Sequence, residues 1–202
     1  AWEFNTDNNT EGWTAANHVE SFSVHGGNFF IDPGLDPWIR SPLLAIDASS
    51  YDTIEIQMES MCPDTLGSVY FTTSSSPSYG EDKRVNFTVK NDGRWYPYRI
   101  YMGNHSKWNG TLTGIRIDPA QNGIVGTDQD VVAFDYIRLT KDTPPKVVNH
   151  RYGTTPSTNI YVTFSEDMDD ATFTGQTVTV SGSSTGNHSS SFSFNHSTYE
   201  LT

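Results

Sequence analysis

Thr53-Ile54-Glu55-Ile56-Gln57-Met58-Glu59 alternates without a break, with Ile54, Ile56 and Met58 on one side and Glu55, Gln57 and Glu59 on the other. A period of two is the signature of a β-strand with one buried and one wetted face. The pattern recurs outward from this stretch. Ser68-Val69-Tyr70-Phe71-Thr72 and Arg84-Val85-Asn86-Phe87-Thr88-Val89 repeat it, and Asn91-Asp92-Gly93 marks a turn. Further strands are expected at Tyr96 to Met102, Leu112 to Ile117 and Val131 to Leu139. Phe22-Ser23-Val24 and Asn28-Phe29-Phe30-Ile31 flank Gly26-Gly27, which predicts a hairpin. Trp2-Glu3-Phe4 reads as a short opening strand. About ten strands in so short a stretch call for two packed sheets.

The chain of 202 residues carries a net charge of −12 and is 13% aromatic. Such acidity argues against nucleic acid and against insertion at acidic membrane surfaces, since both need clustered Lys and Arg. No apolar window reaches the length of a membrane helix, and no signal peptide is visible. Cys62 is the one cysteine, so no intrachain disulfide forms, and it is expected to be a buried small hydrophobe. An extracellular or cell-surface protein of bacterial or archaeal type fits these features. The six Asn-X-Ser/Thr sequons, at Asn8, Asn86, Asn104, Asn109, Asn187 and Asn195, are read as chance matches in an Asn- and Ser-rich chain.

Composition shifts at Thr143-Pro144-Pro145, where the double proline reads as a linker. The expected domains are residues 1–141 and 142–202. All five tryptophans precede the linker. The second segment holds three alternating stretches, at Asn159 to Phe164, Thr177 to Val180 and Ser191 to Phe194, and is expected to be truncated or completed by a neighbour.

An ordered set of motifs in the first segment resembles bacterial carbohydrate-binding modules with the galactose-binding-like jelly roll, of the family 4, 9 and 22 type. The set runs from Trp2-Glu3-Phe4-Asn5-Thr6-Asp7 and Glu11-Gly12-Trp13 through Gly26-Gly27-Asn28 and Ser41-Pro42-Leu43-Leu44. It continues with Gly93-Arg94-Trp95 and Trp108-Asn109-Gly110-Thr111, and closes at Phe134-Asp135-Tyr136-Ile137-Arg138-Leu139. Ile160-Tyr161-Val162-Thr163-Phe164-Ser165-Glu166-Asp167-Met168-Asp169 resembles the Ig-like domains of bacterial surface-layer and adhesion proteins. The expected fold is therefore all-β: a jelly-roll sandwich followed by a smaller, partial Ig-like sandwich.

The first resemblance implies a structural calcium, held by Glu3, Asn5, the Gly27 carbonyl and Asp135, with Asp7 as an addition. The chemistry suits a hard cation that takes six to eight oxygens. The acidic clusters Asp128-Gln129-Asp130 and Glu166-Asp167-Met168-Asp169-Asp170 lack the spacing of a calcium loop and are read as solvated turns.

Sugar recognition needs aromatic surface for the C–H face of the ring and planar polar groups for its hydroxyls. Alternation selects Gln57, Tyr70, Tyr101 and Arg116 as outward residues, and the loops add Trp38, Arg40 and Tyr79. Together they are expected to form one surface. Trp13 and Trp108 are expected in the core, and Trp95 half-buried in packing. No nucleophile elbow, zinc-binding helix or phosphate loop is present, so no catalysis is expected. The function expected is binding of a polysaccharide or glycan within a secreted multidomain protein. The alternative is a structural or adhesive block of a surface layer or fibre, joined to neighbouring copies by strand exchange.

Overall fold

The structure, a computed structural model, describes residues 1–121, 132–141, 146–152, 160–165, 180–182, 186–188, 193–195, 197–198 and 200–201. The chain divides into two compact units, Ala1–Asp142 and Thr143–Thr202. The linker prolines, both acidic clusters, Val131 and most of the Thr177 and Ser191 stretches lie outside the described residues.

The first unit contains β1 (Thr14–His25), β2 (Asn28–Arg40), β3 (Ile46–Asp47), β4 (Thr53–Ser60), β5 (Leu66–Thr73), β6 (Arg84–Thr88), β7 (Tyr96–Tyr101), β8 (Thr111–Asp118) and β9 (Val132–Thr140). Its strand order is β6-β5-β8-β2-β9-β4-β7, with β1 added to β2 and β3 to β8. The order closes a sandwich because β2 serves both layers. Its first half pairs with β9 through Phe29, Phe30 and Ile31. Its second half pairs with β8 through Ile39 and Arg40. One layer is then β2-β9-β4-β7 and the other β2-β8-β5-β6, which is the jelly-roll arrangement.

The sequence explains the corner in β2. Asp32-Pro33-Gly34-Leu35-Asp36-Pro37 contains two prolines, which cannot donate to a ladder, and a glycine. Val19 pairs with Pro33 and Asn17 with Trp38, so His18 alone faces residues 34–37. The surplus residues make a bulge that bends the strand from one layer to the other. His18 and Asp36 both take positive φ there, at 41° and 54°. The Asn17 amide donates to the Asp36 carbonyl at 2.8 Å, and His18 Nδ1 donates to that of Leu35. The sequence led one to expect a strand at Asn28–Ile31 and a loop at Trp38 and Arg40; they are one bent strand.

The predicted hairpin forms with His25 opposite Asn28. Gly26 and Gly27 have φ of 58° and 81°, which a turn with two left-handed residues requires. Trp2-Glu3-Phe4 is less than a strand: Trp2 makes a single bridge to Ile137, with N–H···O distances of 2.9 Å each way. Glu11 Oε1 accepts the Phe4 amide at 2.8 Å, which helps hold Phe4 at its positive φ.

Inward residues of both layers fill one core. Ile54, Ile56, Met58, Ile100, Phe134 and Ile137 from one side meet Val69, Phe71, Leu112, Ile115 and Ile117 from the other. Trp13, Trp108 and Cys62 are buried as expected. Trp108 packs edge-on against Phe71 at 5.0 Å, and its indole N–H donates to the Tyr51 carbonyl at 2.8 Å. Trp95 stands 37% exposed after its turn, in keeping with the half-buried position expected.

In the second unit, β10 (Val147–Tyr152), β11 (Ile160–Phe164), β14 (Phe194–Asn195) and β15 (Glu200–Leu201) form a sheet ordered β10-β11-β15-β14, and β12 (Val180–Gly182) pairs with β13 (Gly186–His188). Among the described residues, no helix is long and apolar enough to cross a membrane.

Candidate functional site

The outer face of the β6-β5-β8-β2 layer carries the site. Cross-strand register places Arg84 opposite Tyr70, Tyr70 opposite Arg116, and Arg116 opposite Arg40. Directly opposed residues share a face, and strands lie about 4.8 Å apart, so this row spans roughly 14 Å. Trp38 precedes Arg40 by two positions and therefore stands on the same face.

Side chains from this row stack in alternation. The Arg40 guanidinium lies 4.0 Å from the Trp38 ring centre and 5.0 Å from that of Tyr79. The Arg116 guanidinium lies 4.5 Å from Trp38 and 4.5 Å from Tyr70. The sequence Tyr79–Arg40–Trp38–Arg116–Tyr70 is thus a continuous run of rings and guanidinia. Each such contact contributes about 0.5–2 kcal/mol, more as water is excluded. The run fixes long side chains that would otherwise be mobile.

Tyr79 reaches this position through two devices. Gly114, two residues before Arg116, leaves the sheet surface bare: a Cβ there would meet the Tyr79 hydroxyl at 2.7 Å. Lys83 ties down the loop that carries Tyr79. It is 2% exposed, and its ammonium donates to the Ser76 carbonyl at 2.8 Å, to Ser76 Oγ at 2.7 Å and to the Ser78 carbonyl. Burial pushes the Tyr79 phenol above its ordinary range, with the charges of Arg40 and Arg116 pulling the other way.

Two of the row's arginines have acidic partners. Arg116 makes a bidentate pair with Asp118, Nε and Nη2 donating at 2.6 and 2.5 Å, and the Asp118 side chain is 7% exposed. Arg84 pairs with Glu81 at 2.5 Å. Among the described residues Arg40 has no acidic partner, and its buried Nε has no acceptor.

Of the seven residues expected to bind sugar, the structure brings together five: Trp38, Arg40, Tyr70, Tyr79 and Arg116. Gln57 and Tyr101 are a correction. Both lie on the outer face of the other layer, where Gln57 pairs in register with Pro97 and Tyr101 with Thr53. The single surface expected from alternation is two surfaces on opposite sides of the core. Tyr70 is corrected in another respect. It points outward but is only 5% exposed, because Arg84 and Arg116 lie over its ring and its hydroxyl donates to Glu81 at 3.0 Å. It supports the arginines rather than offering a platform.

Asp118, Gly114, Arg84 and Lys83 were not singled out from the sequence. The Arg116-X-Asp118 spacing was a usable signal, since i and i+2 share a strand face. Lys83 offered none, because its acceptors are carbonyls placed by a loop.

The residues expected to hold calcium come together in part. The Asn5 amide oxygen lies 3.8 Å from where a Gly27 Cβ would stand, and Asp7 Oδ1 accepts the Gly26 amide at 3.0 Å. The Glu3 carboxylate, however, receives Nε and Nη2 of Arg138 at 2.8 and 2.7 Å. Those hydrogen bonds hold its carboxyl below the ordinary Glu range. Asp135 is exposed on β9. No cluster of three or more His, Cys, Asp or Glu side chains occurs among the described residues.

No family model and no curated protein matches the chain. Among solved structures, it is similar to a non-crystalline-cellulose-specific module, CBM28, with TM-score 0.48 and 12% identity over 64% of this chain and 87% of that one. It is similar to a CBM4 structure with TM-score 0.45 and 12% identity over 70% and 97%. A family 29 module variant complexed with mannohexaose gives TM-score 0.44 and 10% identity over 66% and 84%. The chain's own strand order, not these likenesses, makes it a jelly roll, and its residues, not theirs, make the site.

Proposed function

We propose that this protein is a non-catalytic, extracellular polysaccharide-binding module, and that the Tyr79–Arg40–Trp38–Arg116 cluster is its binding face. The observation that carries this reading is the stack itself. Part-exposed rings supply apolar surface for sugar C–H groups, and guanidinia fixed between them supply planar N–H donors for hydroxyls. The side chains are already ordered, so binding does not cost their rotamer freedom. Such a site is shallow and weak for one sugar and gains from repeated sugars along a polymer.

A glycan array with the full chain tests the reading. One polysaccharide class should bind, and Trp38→Ala should abolish that signal while Tyr101→Ala retains it. Equal loss in both variants, or binding by neither protein when the chain is folded, counts against this face.

The same reading includes a structural calcium at Glu3, Asn5, Gly27 and Asp135. An ion there would draw on the Asn5 amide oxygen and the Gly27 carbonyl, and Arg138 would have to release Glu3. Thermal unfolding with calcium and with a chelator checks this. A rise of several degrees with calcium, absent in Asn5→Ala, is expected; identical curves remove calcium from the reading.

A further inference from the structure

The three arginines of the row are matched by only two paired carboxylates. Arg116 has Asp118 and Arg84 has Glu81. Among the described residues Arg40 has only the rings of Trp38 and Tyr79, and one of its donors, Nε, is buried with no acceptor among them. A buried donor left unpaired costs about 1–3 kcal/mol. This uncompensated cation stands out in a chain whose net charge is −12. Carboxylates outnumber cations two to one, with 24 Asp and Glu against 12 Lys and Arg, yet none is set against Arg40 among the described residues. Asp36 lies near enough to act electrostatically on Arg116, but it is exposed and forms no ion pair among the described residues.

The outer face of the β9-β4-β7 layer shows the contrast. Arg99 pairs with Glu55 at 3.2 Å and Arg138 with Glu3 at 2.7 Å. Where this fold has no use for an open guanidinium on a sheet face, it supplies a carboxylate from the same sheet or from the segment beside it.

We infer that Arg40 is the subsite for an anionic group on the ligand, and that the preferred polysaccharide is acidic, bearing the carboxylate of a uronic acid. This rests on the polysaccharide reading above. A guanidinium is planar and presents paired N–H donors, which match the two oxygens of a carboxylate. Charge-assisted hydrogen bonds are roughly twice as strong as neutral ones. The rings on Arg40 exclude water and strengthen the attraction. The overall negative charge would repel a polyanion at long range. At physiological salt that repulsion is screened beyond about 8 Å, while a contact pair is not. Non-specific attraction is thereby suppressed, so an acidic polymer that binds does so through a local site.

The test is titration of the full chain, in calcium-free buffer, with polygalacturonate, with its fully methyl-esterified form and with a sulfated polysaccharide. Wild type should bind the free acid at least tenfold more tightly than the ester, with the preference shrinking as salt rises. Arg40→Ala should lose the preference, Arg40→Lys should keep part of it, and Arg99→Ala on the opposite layer should keep all of it. Equal affinity for acid and ester overturns the inference but leaves the polysaccharide reading standing. Tighter binding of the sulfated polymer than of the uronate overturns the carboxylate assignment. If only neutral glycans bind, the inference falls. If no glycan of any charge binds the folded chain, the polysaccharide reading itself falls.

Discussion

The two outer faces of the jelly roll use the same residue types to opposite ends. On the β9-β4-β7 face, Arg99 meets Glu55, Arg138 meets Glu3, and Arg138 also lies 3.8 Å from the Tyr136 ring. On the β6-β5-β8-β2 face, guanidinia alternate with Trp38, Tyr70 and Tyr79, and Arg40 has no anion among the described residues. On the first face both of these arginines have carboxylate partners. The second keeps a fixed donor and part-exposed rings. A surface ion pair contributes little to stability, typically below about 1 kcal/mol. Partnership, rather than the count of arginines or aromatics, distinguishes the two faces.

Removing one ring from each face should separate them most strongly. Trp38→Ala should cost about 2 kcal/mol or more of binding, roughly thirtyfold in affinity, by calorimetric titration with the polysaccharide that the array identifies. Tyr101→Ala, at a residue 46% exposed on the other layer, should change affinity less than twofold. Comparable losses would mean that the faces are not distinct in function.

Lys83 offers a second contrast, between a buried anchor and the exposed pair that its neighbour Asp82 makes with Lys107 of the β7–β8 loop. Lys83→Met leaves the Ser76 and Ser78 acceptors without their donor and should lower stability by about 1–3 kcal/mol. Lys107→Ala removes only the exposed pair with Asp82 and should change stability by less than about 0.5 kcal/mol. Chemical denaturation of both variants measures the difference.

Gly114→Ala should displace Tyr79 and weaken binding about fivefold, near 1 kcal/mol. Tyr79→Ala should do the same. Because both act on one contact, the double variant should be no worse than either alone. Additive losses would show that Gly114 acts elsewhere.

The smallest effect belongs to the β9-β4-β7 face. Arg138 holds the Glu3 carboxyl below its ordinary range. A depressed folded-state value means that the contribution is present above the ordinary Glu range and is lost as pH falls through the folded value. Glu3 is part-exposed, so the contribution should stay below about 0.5 kcal/mol. Glu3→Gln should therefore flatten the acid limb of stability against pH slightly, with binding unchanged.

Much of this was legible in the residues. Strict alternation in Thr53–Ser60 fixed which side chains face the core, because a strand's geometry is local. Gly26-Gly27 fixed a hairpin because only such residues take left-handed φ without strain. The same alternation assigned Gln57, Tyr70, Tyr101 and Arg116 to outward faces, and all four do point away from the core. It could not tell that Tyr70 would be roofed over by Arg84 and Arg116, since burial of an outward side chain depends on neighbours from other strands. Nor could it tell that β2 turns a corner, although Pro33, Gly34 and Pro37 were the signal.

The sequence by itself determined an all-β chain, the residues of its core, the hairpin at Gly26-Gly27 and the side of the strand on which each candidate stands. Those follow from backbone sterics and from a period of two, which need only near neighbours. The tertiary structure alone decided which outward residues meet. Arg40 lies beside Arg116, and Arg116 beside Tyr70, through pairings between strands far apart in the chain. Gln57 and Tyr101 are sent to the opposite side by the same closure. Pairing of distant strands is set by how the whole apolar surface is buried at once, and no local stretch contains that information.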